Sequence, residues 1–141
     1  MRIILCDDDT QFMQSFSKQL FSILQKHGVI PKVILTHTGL DALREITHQP
    51  TDVLFLDIDM PSLNGIELAQ NYLQNHDDTT IIFITNKYDL VFNAFSVHPF
   101  DFVKKENLET GLIQPIKHLI SKLNRDNRVI SLQDKNGLTT I

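Results

Sequence analysis

The chain predicts an α/β protein with a five-stranded parallel sheet and helices on both faces. Three observations carry that expectation. Short apolar runs alternate five times with stretches whose apolar residues recur every three or four positions. The runs are apolar throughout, as in Val53-Leu54-Phe55-Leu56, which suits strands buried on both faces. Polar residues stop them abruptly: Asp7 after the first, Asp57 after the third, Thr85-Asn86 after the fourth.

Arg2–Cys6 reads as the first strand, ending in Asp7-Asp8-Asp9. Phe12, Phe16, Leu20 and Leu24 then recur every four residues, with Met13 and Ile23 beside them. That is one face of an amphipathic helix, started by Asp9 or Thr10 and stopped near Gly28. Pro31 precedes a second strand at about 33–36. Leu40, Leu43 and Ile46 mark a second helix, ended by Pro50. The third strand is 53–57, followed by a loop with Pro61, Asn64 and Gly65. The third helix spans about 66–75, the fourth strand 80–84 and a fourth helix about 88–97, which His98-Pro99 breaks. The fifth strand is 100–104. Ile116, Leu119, Ile120 and Leu123 give a fifth helix. Proline is tolerated in a helix only in its first turn, so the regular helix should begin close to Pro115 or kink there.

Right-handed crossovers turn this alternation into a doubly wound sheet. A flavodoxin-like strand order of 2-1-3-4-5 sets the ends of the first and third strands side by side at the switch point, where ligands collect. Asp7-Asp8-Asp9 would then adjoin Asp57 and Asp59.

With 141 residues, 42% of them apolar and 21% charged, one soluble domain with a short appendage is expected. No apolar run approaches the roughly 20 residues that span a bilayer. The amino terminus is too short an apolar run for a signal peptide. Cys6 is the sole cysteine, so no internal disulfide forms, and a cytoplasmic protein follows. The six histidines show no paired metal-ligand spacing, which argues against zinc. The net charge of −4 divides into −7 over residues 1–101 and +3 over 102–141. The acidic first part is not built for nucleic-acid phosphate.

Crowded carboxylates repel, and a hard divalent cation relieves them. The acids therefore suggest a Mg²⁺ site beside a carboxylate nucleophile; a lone strand-end aspartate is as often a turn residue. The Thr85 hydroxyl can hydrogen-bond a phosphoryl oxygen. Lys104 or Lys105 can supply an ammonium, but strand alternation lets only one point in.

These motifs together resemble the receiver domain of two-component response regulators. The resemblance covers residues 1–124. It rests on Leu5-Cys6-Asp7-Asp8-Asp9, Leu56-Asp57-Ile58-Asp59-Met60-Pro61 with Gly65, Ile84-Thr85-Asn86 and Asp101-Phe102-Val103-Lys104-Lys105. It implies the fold of CheY-like proteins, with Asp57 as phosphoacceptor for a sensor histidine kinase. It implies Mg²⁺ held by Asp8, Asp57 and the Asp59 main-chain carbonyl, with Asp7 acting through water. Thr85 and Lys105 would hold the phosphoryl group, Lys105 being favoured over Lys104 by its spacing from Phe102. Thr85 and Phe102 would form the switch and expose a homodimer face. Glu106 stands where the family usually has proline, and Asn86 is larger than its usual small residue. Asp59 and Lys87 are expected to pair across the pocket entrance.

The run Ala94-Phe95-Ser96-Val97-His98-Pro99-Phe100-Asp101-Phe102 resembles regulators that carry a LytTR DNA-binding domain. Residues 125–141 then read as a linker and the start of that domain. Val129, Ile130 and Leu132 suggest a strand, Asn136-Gly137 a hairpin turn and 138–141 the return. DNA would be bound only through the missing C-terminal domain. Two rival readings are a haloacid-dehalogenase-type phosphatase, from Asp57-Ile58-Asp59, and a receiver that docks without phosphorylation.

Overall fold

The computed structural model describes residues 1–60, 65–73, 79–86 and 99–135. Its strands are β1 (Arg2–Cys6), β2 (Lys32–Thr36), β3 (Val53–Asp57), β4 (Thr80–Thr85) and β5 (Asp101–Lys104). They form one parallel sheet in the order β2-β1-β3-β4-β5. Cys6 pairs with Leu56 and Asp57 with Ile84, so the acids after β1 and at the end of β3 share one edge.

The described helices are α1 (Thr10–Lys26), α2 (Gly39–His48), α3 (Gly65–Leu73), a short α4 (Leu108–Gly111) and α5 (Ile113–Lys135). Asp9 caps α1, its side chain accepting from the Phe12 N–H at 3.0 Å. Thr38 caps α2 through the Asp41 N–H at 3.1 Å. The expected helix at 88–97 lies outside the described residues, as does Lys87 of the expected Asp59–Lys87 pair.

Strand alternation divides the core in two. On one face Ile3, Leu5, Val53, Phe55, Ile82, Ile84 and Val103 pack against Met13, Phe16, Leu20 and Leu24 of α1 and against α4 and α5. On the other, Ile4, Cys6, Leu54, Leu56 and Phe83 meet Ala42 and Ile46 of α2 and Leu68 and Ala69 of α3. Each fully buried large apolar side chain stabilises by roughly 1.5–3 kcal/mol. Phe16 meets Phe55 edge-on at 5.1 Å, and truncating either to alanine would cost about 3–5 kcal/mol.

Pro115 falls in the first turn of α5, as expected. Lacking an N–H, it cannot bond the Gly111 carbonyl four residues back, and there the helical run divides into α4 and α5. The tail corrects the sequence reading. Neither a break at Arg125-Asp126-Asn127 nor a strand over Val129–Leu132 occurs, because α5 runs on to Lys135. A helix closes its hydrogen bonds locally, whereas an isolated two-stranded hairpin is marginal in water. The expected return at 138–141 lies outside the described residues.

Candidate functional site

A cleft of about 420 Å³ opens at the carboxyl end of the sheet, lined by Asp8, Asp9, Asp57, Asp59, Thr85, Asn86 and Lys105. Asp57 terminates β3, the central strand, and is 4% exposed. Its Oδ1 accepts the Asp59 N–H at 3.0 Å, and its Oδ2 accepts from Lys105 Nζ at 2.9 Å. Asp7, fully buried past the end of β1, receives the Asp9 N–H on Oδ1 at 2.9 Å. Its Oδ2 lies 2.7 Å from Lys105 Nζ as an ion pair. Asp9 lines the rim of the cleft but spends its carboxylate on the α1 cap, so the triple acid run divides its labour: Asp7 and Asp8 join Asp57 in one carboxylate cluster, and Asp9 starts the helix.

Carboxylate oxygens of Asp7, Asp8 and Asp57 all lie within 4.8 Å of one another. Burial pushes the Asp7 carboxyl up to about 6; Asp57 pushes the same way, while Lys105 and the Asp9 N–H offset part of it. Burial also raises Asp57, again against the pull of Lys105. Burial alone would lower the Lys105 pKa, but Asp7 and Asp57 more than compensate and hold it above its ordinary value. One ammonium therefore pairs with two of three clustered carboxylates. A divalent cation fits what is left over: excess negative charge and hard oxygen donors from three carboxylates that one lysine does not neutralise.

Lys105, not Lys104, reaches the acids. Val103 packs on the α1 face of the sheet and Lys104 is exposed; Lys105 returns to the α1 side, where its ammonium sits 4.8 Å from the centre of the Phe12 ring. Phe12 was legible only as a member of the apolar face of α1. Thr85, 2% exposed, ends β4 on the same face as Phe83. Phe102 is half-buried and stacks on Phe83 at 5.9 Å, two residues before Thr85 in the facing strand. Gly65 opens α3 against the end of β3: a Cβ there would lie 2.3 Å from the Asp57 carbonyl oxygen. No cis peptide occurs among the described residues, so the Lys105–Glu106 bond is trans.

A doubly wound sheet with acids from two neighbouring strands and a lysine at its switch point defines a receiver. The chain belongs to the response regulator receiver domain family, whose model matches residues 3–117. It is 30% identical over 131 residues to the protein MrkE of Klebsiella pneumoniae, covering 93% of this chain and 47% of that one. It is 32% identical over 120 residues to the transcriptional regulatory protein YpdB of Escherichia coli K12, covering 83% and 48%. The chain thus spans about half the length of the curated relatives it matches. The crystal structure of the response regulatory domain of MrkE superposes with a TM-score of 0.76 at 28% identity, over 89% of this chain and 99% of that one. The receiver domain of AraT from Geobacillus stearothermophilus, 19% identical, shares the fold with a TM-score of 0.77. No helix among the described residues is long and apolar enough to cross a membrane.

Proposed function

We propose that this chain is the phosphorylation-controlled receiver of a two-component response regulator, with Asp57 as phosphoacceptor. The observation that carries this reading is the setting of Asp57: a nearly buried strand-end carboxylate, held by Lys105 and the Asp59 N–H beside Asp7 and Asp8. Asp8, Asp57 and the Asp59 main-chain carbonyl would hold Mg²⁺, with Asp7 bonded through water. The ion supplies neutralisation of the charge that gathers on the transferring group.

The chain's own residues orient the reaction. The Asp59 N–H fixes one Asp57 oxygen, which leaves Oδ2 to attack phosphorus. A P–O bond to Asp57 forms as the P–N bond of a kinase phosphohistidine breaks, and the imidazole departs. Lys105 sits on that same Oδ2 and would move onto the incoming phosphoryl oxygens as a point charge. The Thr85 hydroxyl would donate to another of those oxygens. Phe102 would then fill the space Thr85 leaves, coupling the cleft to a homodimer face.

The output would lie in a LytTR-type DNA-binding domain carboxyl-terminal to α5, in a longer cytoplasmic regulator. The name of YpdB, a transcriptional regulatory protein, and the half-length match to the relatives support an output domain of this kind. The acidic receiver itself is not expected to bind DNA. A phosphatase of haloacid-dehalogenase type is disfavoured, since its nucleophile belongs on the first strand and Asp57 ends the third. Mass spectrometry after incubation with acetyl phosphate and Mg²⁺ tests the assignment. Wild type should gain one labile phosphate and Asp57→Asn none; equal labelling refutes it. Beryllofluoride binding separates this reading from a receiver that only docks.

A further inference from the structure

Lys105 must aim its ammonium at Asp57 from a loop with no proline to stiffen it. The pairing of β4 with β5 ends where the Lys105 N–H donates to the Thr85 carbonyl at 3.2 Å. The next N–H, of Glu106, turns to a side chain and donates to Asn86 Oδ1 at 3.2 Å. Asn107 follows in the left-handed region, φ 56° and ψ 54°, which asparagine tolerates better than most residues. Its carbonyl accepts the Gly111 N–H at 2.8 Å and starts α4. The Lys105 loop is thus tied to the exit of β4 by two successive hydrogen bonds that it donates, one to the Thr85 main chain and one to the Asn86 side chain. Asn86 is also a wall of the cleft, beside Thr85 and Asp57.

We propose that Asn86 is a positioning residue for phosphoryl transfer: through the Glu106 N–H it fixes the all-trans Lys105 loop, so that Lys105 Nζ stays on Asp57 and Asp7. The inference rests on Asp57 being the phosphoacceptor. Without the Asn86 carbonyl oxygen, the Glu106 N–H turns to water and the backbone beside Lys105 loosens. The lysine, whose stem has four rotatable bonds, then spends less time at the acids.

The test compares wild type, Asn86→Ala, Asn86→Asp, Lys105→Ala and the Asn86→Ala/Lys105→Ala double variant in the full 141-residue chain. Amide exchange at Glu106, read by NMR in metal-free buffer, should quicken about ten-fold in Asn86→Ala. It should return toward wild type in Asn86→Asp, which keeps an acceptor oxygen. Phosphorylation by acetyl phosphate with Mg²⁺ should slow about three- to ten-fold in Asn86→Ala, the worth of one hydrogen bond. On the Lys105→Ala background the same substitution should change the rate less than two-fold, because its route of action is gone. Unchanged Glu106 exchange in Asn86→Ala overturns the inference. So does faster phosphorylation, or an equal slowing on both backgrounds, since Asn86 would then act by access rather than through Lys105. If wild type takes no phosphate, the phosphoacceptor reading fails, while the exchange comparison still decides whether Asn86 holds the loop.

Discussion

Replacing Asp7 with asparagine should stabilise the metal-free protein at neutral pH. Asp7 is fully buried, and its carboxyl is pushed up to about 6 from an ordinary 3.8. Each pKa unit corresponds to 1.36 kcal/mol, so keeping Asp7 ionised at pH 7 costs the folded state about 3 kcal/mol, with the help of Lys105 already included. Asparagine has nearly the same shape and keeps an oxygen for the Asp9 N–H, but its NH2 replaces the oxygen 2.7 Å from Lys105 Nζ, so the lysine must withdraw onto Asp57 alone. Burying a neutral amide against the ammonium takes back part of the gain, so the net should be about 1–2 kcal/mol. For a chain of this size that raises Tm by roughly 3–7 °C. The sign with pH is definite. A carboxyl whose folded pKa lies above its unfolded value binds more protons when folded, so wild type loses stability as pH rises from about 4 to about 6. The variant does not share that loss, and the gap should close below pH 4. Melting curves by circular dichroism in EDTA at pH 4, 5, 6 and 7 measure it. Saturating Mg²⁺ should raise the wild-type Tm more than the variant's and narrow the gap. A variant less stable than wild type at pH 7 in EDTA, or a gap independent of pH, would refute the charge-crowding argument.

Lys105→Ala should slow phosphorylation far more than Lys104→Ala, which should stay within two-fold of wild type; comparable losses would undo the assignment. Phe12→Leu keeps apolar volume but removes the ring face over Lys105, and should slow phosphorylation about two- to five-fold with little change in urea midpoint. Gly65→Ala places a methyl 2.3 Å from the Asp57 carbonyl oxygen and should cost about 1–3 kcal/mol in urea denaturation, together with weaker Mg²⁺ binding. An unperturbed Gly65→Ala would mean that α3 shifts freely against β3.

The alternation of apolar runs with 3.6-residue periodicity determined the sheet, its parallel sense and helices α1 to α3, because the central strands β1, β3 and β4 are buried on both faces and leave a local imprint at almost every position. The switch-point rule likewise brought Asp7 and Asp8 beside Asp57 from strand order alone. Other features are relations between distant residues, and no local pattern encodes them. Which lysine turns inward depends on the side of β5 that α1 covers, and the Phe12 ring meets Lys105 across 93 positions. The division of Asp7-Asp8-Asp9 between site and helix cap depends on where α1 starts. The tail shows the same limit from the other side. Val129, Ile130 and Leu132 are local strand signals, yet a two-stranded hairpin needs other strands to pack on. Helix hydrogen bonds need no such partner, and among the described residues the chain continues as α5 to Lys135.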